Sequence, residues 1–128
     1  MDDLLQVARA ARANAYCPFS HYPVGAAVRD AEGRIWAGCN VENVSFGATI
    51  CAERVAIGSM VAAVGKQDVV AVAVVTKDGG TPCGMCLQVL FEFAKDKANT
   101  KVVLEDQNGT QSEYSLLQLM PHGFQSDL

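Results

Sequence analysis

Residues 69–76 read "VVAVAVVT", seven apolar residues in succession and then a threonine. A strand with one wet face alternates polar and apolar residues. An unbroken apolar run of strand length therefore predicts a strand covered on both faces. Helical patterns stand on either side of it. "CAERVAIGSMVAAVG", 51–65, is apolar nearly all round and rich in Ala and Gly, which predicts a buried helix packed close to its neighbours. "CGMCLQVLFEFA", 83–94, puts Cys86, Val89, Leu90 and Phe93 at i, i+3, i+4 and i+7, one buried helical stripe. A covered strand between two helices restricts the chain to a layered α/β architecture.

The rest of the chain fills in the layers. "DDLLQVARAARANAY" carries Leu4, Leu5, Ala8, Ala11 and Ala15 at helical spacing, with Asp2 or Asp3 as N-cap. Pro18 and Pro23 exclude its continuation. "VGAAVRD", a turn at "AEGR", and "IWAGCNVEN" read as a hairpin,. "KVVLED", "QNGT" and "QSEYSL" read as a second hairpin, turning at Asn108-Gly109,. "LLQLM" is a short last helix stopped by Pro121. The order α-β-β-α-β-α-β-β-α predicts a three-layer α-β-α sandwich around one mixed five-stranded sheet. At 128 residues, a single domain spanning 1–128 is expected, and half the residues are hydrophobic, enough for a core,.

Charge narrows the partners. The net charge is −4, with Lys and Arg scattered, which argues against nucleic acid or an anionic membrane as the partner. No stretch approaches the ~18 apolar residues of a membrane span. "MDDLLQVARAARANAY" opens with acids and lacks the apolar core of a secretory signal,. A cytoplasmic location is expected. The five cysteines, Cys17, Cys39, Cys51, Cys83 and Cys86, then point to metal binding or catalysis rather than disulfides.

A lone Cys83-x-x-Cys86 fits half a structural zinc site, a redox pair, or two buried side chains. Cys51 changes the weighing. Cys51 and Cys83 each open a predicted helix, where the dipole favours thiolate, the form that binds metal. Three thiolates make a Zn²⁺ site with one open position, as catalytic rather than structural zinc requires. Glu53 stands in the first turn after Cys51. Consecutive helical residues differ by about 100°, so its carboxylate is free of the metal and available as a general acid or base. The plain alternative for Glu53 is a first-turn acid favoured by the helix dipole. Cys39 reads as a small core residue and Cys17 has no partner in sequence. His21 and His122 are isolated, and either one would close the site and make it structural.

"CPFSHYPVGAAV", "GCNVENVSFG", "ICAERVAI" and "PCGMCLQVLFEF" together resemble the small zinc-dependent cytidine deaminases, and the similarity covers nearly the whole chain. The resemblance implies one Zn²⁺ per chain on Cys51, Cys83 and Cys86. It implies a water activated toward C4 of the pyrimidine, with Glu53 shuttling protons, and products of a uridine-type nucleoside and ammonia. It implies substrate contacts from Asn40, Glu42, Tyr22 and Ala52, and from Phe46 and Phe124 across subunit boundaries of a homotetramer. Arg54 matches a residue beside the thiolates, where a guanidinium offsets their charge. On the residues alone, Asn40 and Glu42 share one face if the strand continues, Phe19 and Tyr22 equally serve to pack their loop, and Arg54 equally serves as a surface arginine. A modified 4-aminopyrimidine nucleoside as substrate, or a structural-zinc protein without activity, stands as the alternative. One position departs: where the family has arginine after the second cysteine, as "CRQV", this chain has Leu87.

Overall fold

The computed structural model describes residues 1–126. Its elements are α1 (Asp2–Arg12), β1 (Gly25–Asp30), β2 (Ile35–Cys39), a 3-10 turn (Phe46–Ala48), α2 (Ala52–Val64), β3 (Val69–Val75), α3 (Gly84–Phe93), β4 (Lys101–Glu105), β5 (Gln111–Ser115) and α4 (Leu116–Leu119). The strands form one sheet in the order β2-β1-β3-β4-β5. Only β3 and β4 run parallel; the other neighbours are antiparallel. A parallel pair needs a crossover, and α3 supplies it.

The covered strand is β3. Val72 and Val74 face one core with Ala52, Ala56, Met60, Leu87 and Leu90 from α2 and α3. Ala71, Ala73 and Val75 face a second core with Leu4, Leu5 and Ala8 of α1. Helices on both faces of a mixed five-stranded sheet are the three layers expected. Burying each Leu or Val fully contributes about 1.5–3 kcal/mol.

Both hairpins turn through Asp-x-x-Gly. Asp30 Oδ1 accepts from Glu32 N and Arg34 N at 2.9 and 3.1 Å. Asp106 Oδ1 accepts from Asn108 N and Thr110 N at 2.8 and 3.0 Å. Gly33 and Gly109 take the left-handed φ that each turn needs, 87° and 85°. The second turn is thus a loop through residues 106–110, not a two-residue Asn108-Gly109 turn, because the Asp106 carboxylate organises it.

Five local expectations are corrected. α1 ends at Arg12 rather than Ala15, because Tyr16 N is drawn to Asn40 O and Glu42 N to Tyr16 O. Its N-cap is Met1, without a side-chain bond; Asp3 accepts from Leu4 N and pairs with Arg29 instead. α2 is buried on one side only, and Gly58, Ser59, Val61, Ala62 and Ala63 are exposed. The buried residues of α3 are Cys86, Leu87, Leu90 and Phe91, with Val89 and Phe93 half-buried. The returning C-terminal segment turns that stripe: a Cβ on Gly123 would stand 2.8 Å from the Phe91 ring. Cys39 is half-buried at the end of β2 rather than in the core.

Candidate active site and metal centre

Three thiols converge from two helix starts. Cys51 immediately precedes α2, with φ −74° and ψ 154°, and Cys83 precedes α3, with φ −65° and ψ 162°. Both are extended residues whose next turn is helical, so both thiols stand at the positive end of a helix dipole. Cys86 follows in the first turn of α3. The three sulfur atoms lie within 4.8 Å of one another, with Cys51 Sγ and Cys83 Sγ 3.9 Å apart. Tetrahedral Zn²⁺ with bonds of about 2.3 Å needs sulfurs about 3.8 Å apart. The donor set therefore fits Zn²⁺ with slight closure. Among the described residues the group ends at three members; neither His21, His122 nor any carboxylate joins it. That leaves a tetrahedral position open.

Close packing sets where α2 begins. A Cβ on Gly38 of β2 would stand 2.2 Å from Ala52 O and 2.6 Å from Ala56 N. Only glycine lets the first turn of α2 lie directly on the strand, which fixes Cys51 and Glu53 relative to the sheet.

Charge follows the geometry. Hydrogen bonding from the Cys86 thiol, then from Arg54, pulls the Cys51 thiol down to about 5. The reciprocal bond to Cys51, with burial, pushes the Cys86 thiol up. Arg54 Nη2 donates to Cys51 Sγ at 3.5 Å, which raises the guanidinium further, while its buried Nε has no partner among the described residues. Glu53 is 4% exposed. Burial, reinforced by the charge on Cys51, lifts its carboxyl above the usual range.

A cavity of about 380 Å³ opens onto this cluster, lined by Tyr22, Asn40, Glu42, Ala52, Glu53 and Cys83 among others. A larger one, about 670 Å³, lies beside α1 and the 106–110 turn. It holds the Arg9–Glu105 ion pair and none of the cysteines, whereas the smaller cavity adjoins Cys51, Cys83 and Glu53.

Asn40 and Glu42 meet in this cavity, but not as strand residues. β2 ends at Cys39, and Val41 makes only single bridges to Tyr16 and Ile50. Both side chains brace the loop 17–24. Asn40 Oδ1 accepts from Val24 N, and its Nδ2 donates to Tyr22 O, both at 2.9 Å. Glu42 accepts from Phe19 N, Ser20 N and Ser20 Oγ. Asn43 is turn chemistry, accepting from Ser45 N. Phe46 is 75% exposed and lines a neighbouring cavity with Phe19, Glu42 and Thr49 rather than this one; it stands edge-on to Phe19 with centroids 5.8 Å apart. Phe124 is 76% exposed, its backbone held at both ends by the Gln88 amide, and it does not line the cavity. Leu87 points into the core, 8% exposed, so the cation beside the thiols is Arg54 alone among the described residues.

Ser20, Thr49 and Thr76 also line the cavity and were not among the expected residues. Their signals are weak: Ser20 lies between two prolines, and Thr76 closes the apolar run of β3.

Residues 1–105 match the family model "Cytidine and deoxycytidylate deaminase zinc-binding region". A curated cytidine deaminase of Halalkalibacterium halodurans is 41% identical over 126 residues, covering 97% of this chain and 93% of that protein. One of Sporosarcina psychrophila is 36% identical over 129 residues, covering 99% and 93%. Among solved structures, the cytidine deaminase of Burkholderia pseudomallei superposes with a TM-score of 0.88 at 40% identity, covering 96% of this chain and 98% of that one.

Proposed function

The chain belongs to the cytidine and deoxycytidylate deaminase family, and on that footing we propose that it hydrolyses cytidine or deoxycytidine to uridine or deoxyuridine and ammonia. The observation that carries the reading is the open three-thiol cluster at the floor of a cavity, with a buried carboxylic acid beside it.

Cys51, Cys83 and Cys86 would hold Zn²⁺. When bound, Zn²⁺ supplies a Lewis acid that brings the pKa of a water near neutrality and makes it a nucleophile. Glu53 accepts the proton that this water releases and delivers it to N3 of the pyrimidine. On a second transfer Glu53 takes the proton of the hydroxyl added at C4 and gives it to the amine, which leaves as ammonia while the C4 carbonyl forms. The raised pKa of Glu53 suits both directions of transfer,. Arg54 offsets the thiolate charge, which otherwise opposes water ionisation. Asn40 and Glu42 hydrogen-bond the sugar while bracing loop 17–24. Ala52 and Tyr22 contact the base and sugar.

The protein works as a homotetramer of single-domain chains in the cytoplasm, within pyrimidine salvage and without nucleic acid or membrane partners. Support comes from the large exposed apolar side chains near the cavity and C-terminus, Val44, Phe46 and Phe124, and from the exposed small-residue side of α2. Phe46 and Phe124 reach a neighbouring subunit's cavity in that assembly. No helix among the described residues is long and apolar enough to cross a membrane.

Loss of ultraviolet absorbance from cytidine, deoxycytidine and free cytosine tests the reading. Turnover of a nucleoside with little action on the free base is expected. Glu53→Gln should retain zinc and lose about 10²–10⁴-fold in kcat. Near-normal turnover in that variant refutes the mechanism.

A further inference from the structure

Two loops line the cavity, 17–24 through Ser20, Tyr22 and Val24 and the turn 76–80 through Thr76 and Gly80, and each has its own braces. Loop 17–24 is held from the β2 side by Asn40 and Glu42, and Tyr22 N donates to Ser20 Oγ at 3.1 Å. Turn 76–80 follows β3 and leads to Cys83. Thr76 Oγ1 accepts from Gly79 N and Gly80 N at 2.7 and 3.2 Å. Asp78 Oδ1 accepts from Gly80 N at 3.1 Å, and Gly79 takes a φ of 73°. The turn is tied on its far side to the second hairpin, by Thr76 N to Glu105 O and Gln107 N to Lys77 O.

The two loops are joined by one side-chain pair. Tyr22 Oη donates to Asp78 Oδ1, so one carboxylate oxygen ties the ring of loop 17–24 to the turn that presents Cys83. We infer that Asp78 is a positioning residue: it latches Tyr22 against the cavity and so sets how tightly the substrate nucleoside is held. The inference rests on the nucleoside reading of the cavity. Asp78 touches neither metal ligand nor Glu53 in the hydrogen-bond network. Its effect therefore falls on ground-state fit, which appears in KM, rather than on the reacting atoms, which appear in kcat. A phenol donating to a carboxylate is charge-assisted, stronger than a neutral pair. Burial and the Asp78 bond hold the Tyr22 phenol above its ordinary pKa, and the same bond holds Asp78 low.

The test uses zinc-loaded wild type, Tyr22→Phe, Asp78→Asn, Asp78→Ala and the Tyr22→Phe/Asp78→Ala double variant. KM for cytidine should rise about five-fold in Tyr22→Phe and in Asp78→Ala. Asp78→Asn, which keeps an acceptor, should fall between these and wild type. The loss should spare kcat to within about two-fold. The double variant should be no worse than the poorer single, since both remove one interaction. Additive losses, an unchanged KM, or a loss carried by kcat overturns the latch. An alkaline ultraviolet titration reads it without turnover: one tyrosine should ionise at lower pH in Asp78→Ala than in wild type, and identical titrations refute it. Wild type that turns over no nucleoside would count against the proposed function, while the titration still decides the latch.

Discussion

Gly38→Ala adds one methyl group where β2 meets the first turn of α2. Its Cβ would lie 2.2 Å from Ala52 O, 2.6 Å from Ala56 N and 3.1 Å from Val55 Cβ. Ordinary contact begins at 3.4 Å, so the difference, 3.4 less 2.2, requires a separation of about 1.2 Å. Two of the three opposing atoms are helix backbone, which cannot swing away as a side chain would. The first turn of α2 must therefore move as a body, carrying Cys51, Glu53 and Arg54. Overpacking of this kind costs about 3 kcal/mol. At about 2.1 cal/mol/K of unfolding entropy per residue, a chain of 128 residues would melt about 11 °C lower. A shift of about 1 Å at Glu53 also lowers kcat by about 10²-fold, and separation of Cys51 from Cys83 weakens zinc binding. Thermal melts, the cytidine absorbance assay and zinc competition with a chromophoric chelator read the three effects. Ala37→Ser, on the exposed neighbouring position of β2, should leave all three unchanged. If Gly38→Ala melts within about 3 °C of wild type and keeps full activity, the close approach of β2 and α2 does not set the site.

Asp30, 1% exposed, also accepts from Arg34 Nε and Trp36 Nε1 at 2.9 and 3.0 Å. Asp30→Asn would turn an amide against two N–H donors and should cost about 2–3 kcal/mol in a denaturant melt. Burial alone would raise the Asp30 carboxyl, but the bonds from Trp36 and Arg34 outweigh it and hold it low; Arg9 does the same for Glu105. Both groups are depressed in the folded state, so their stabilisation is complete above their unfolded values of 3.8 and 4.5 and is lost as pH falls below them,. Melts from pH 7 to pH 3 should show that acid loss, with a shallower slope in Asp30→Asn; equal slopes would refute it. Leu87→Ala should cost about 2–4 kcal/mol by leaving a cavity between α2, α3 and the sheet. Because Leu87 supplies packing and no charge, kcat of the folded variant should hold within about three-fold, and a large kcat loss would instead assign position 87 to the chemistry.

Much of the molecule was readable from its periodicities. The apolar run at 69–76, with helical patterns on either side, led to a covered strand between helices, because a strand must bury both faces when neither alternates. "CAE" and "PCGMC" led to three thiols at two helix starts, because a cysteine just before a helical pattern stands at that helix's positive end whatever packs around it. Where the reading failed, the deciding contact came from far along the chain. The buried stripe of α3 depends on the segment around Gly123 lying over Phe91. The end of β2 depends on Tyr16 pairing with residues 40 and 42.

The sequence by itself determined the element order, the donor atoms and the acid beside them, since each follows from residue type and local period. The tertiary structure alone decided that the metal group ends at three thiols, that Glu53 is buried beside them, and that Leu87 is core. It also decided that Asp78, which follows β3, meets Tyr22, which precedes β1. Those facts depend on distances between segments distant in sequence, and such distances are set by the order and crossing of strands, which no local pattern encodes.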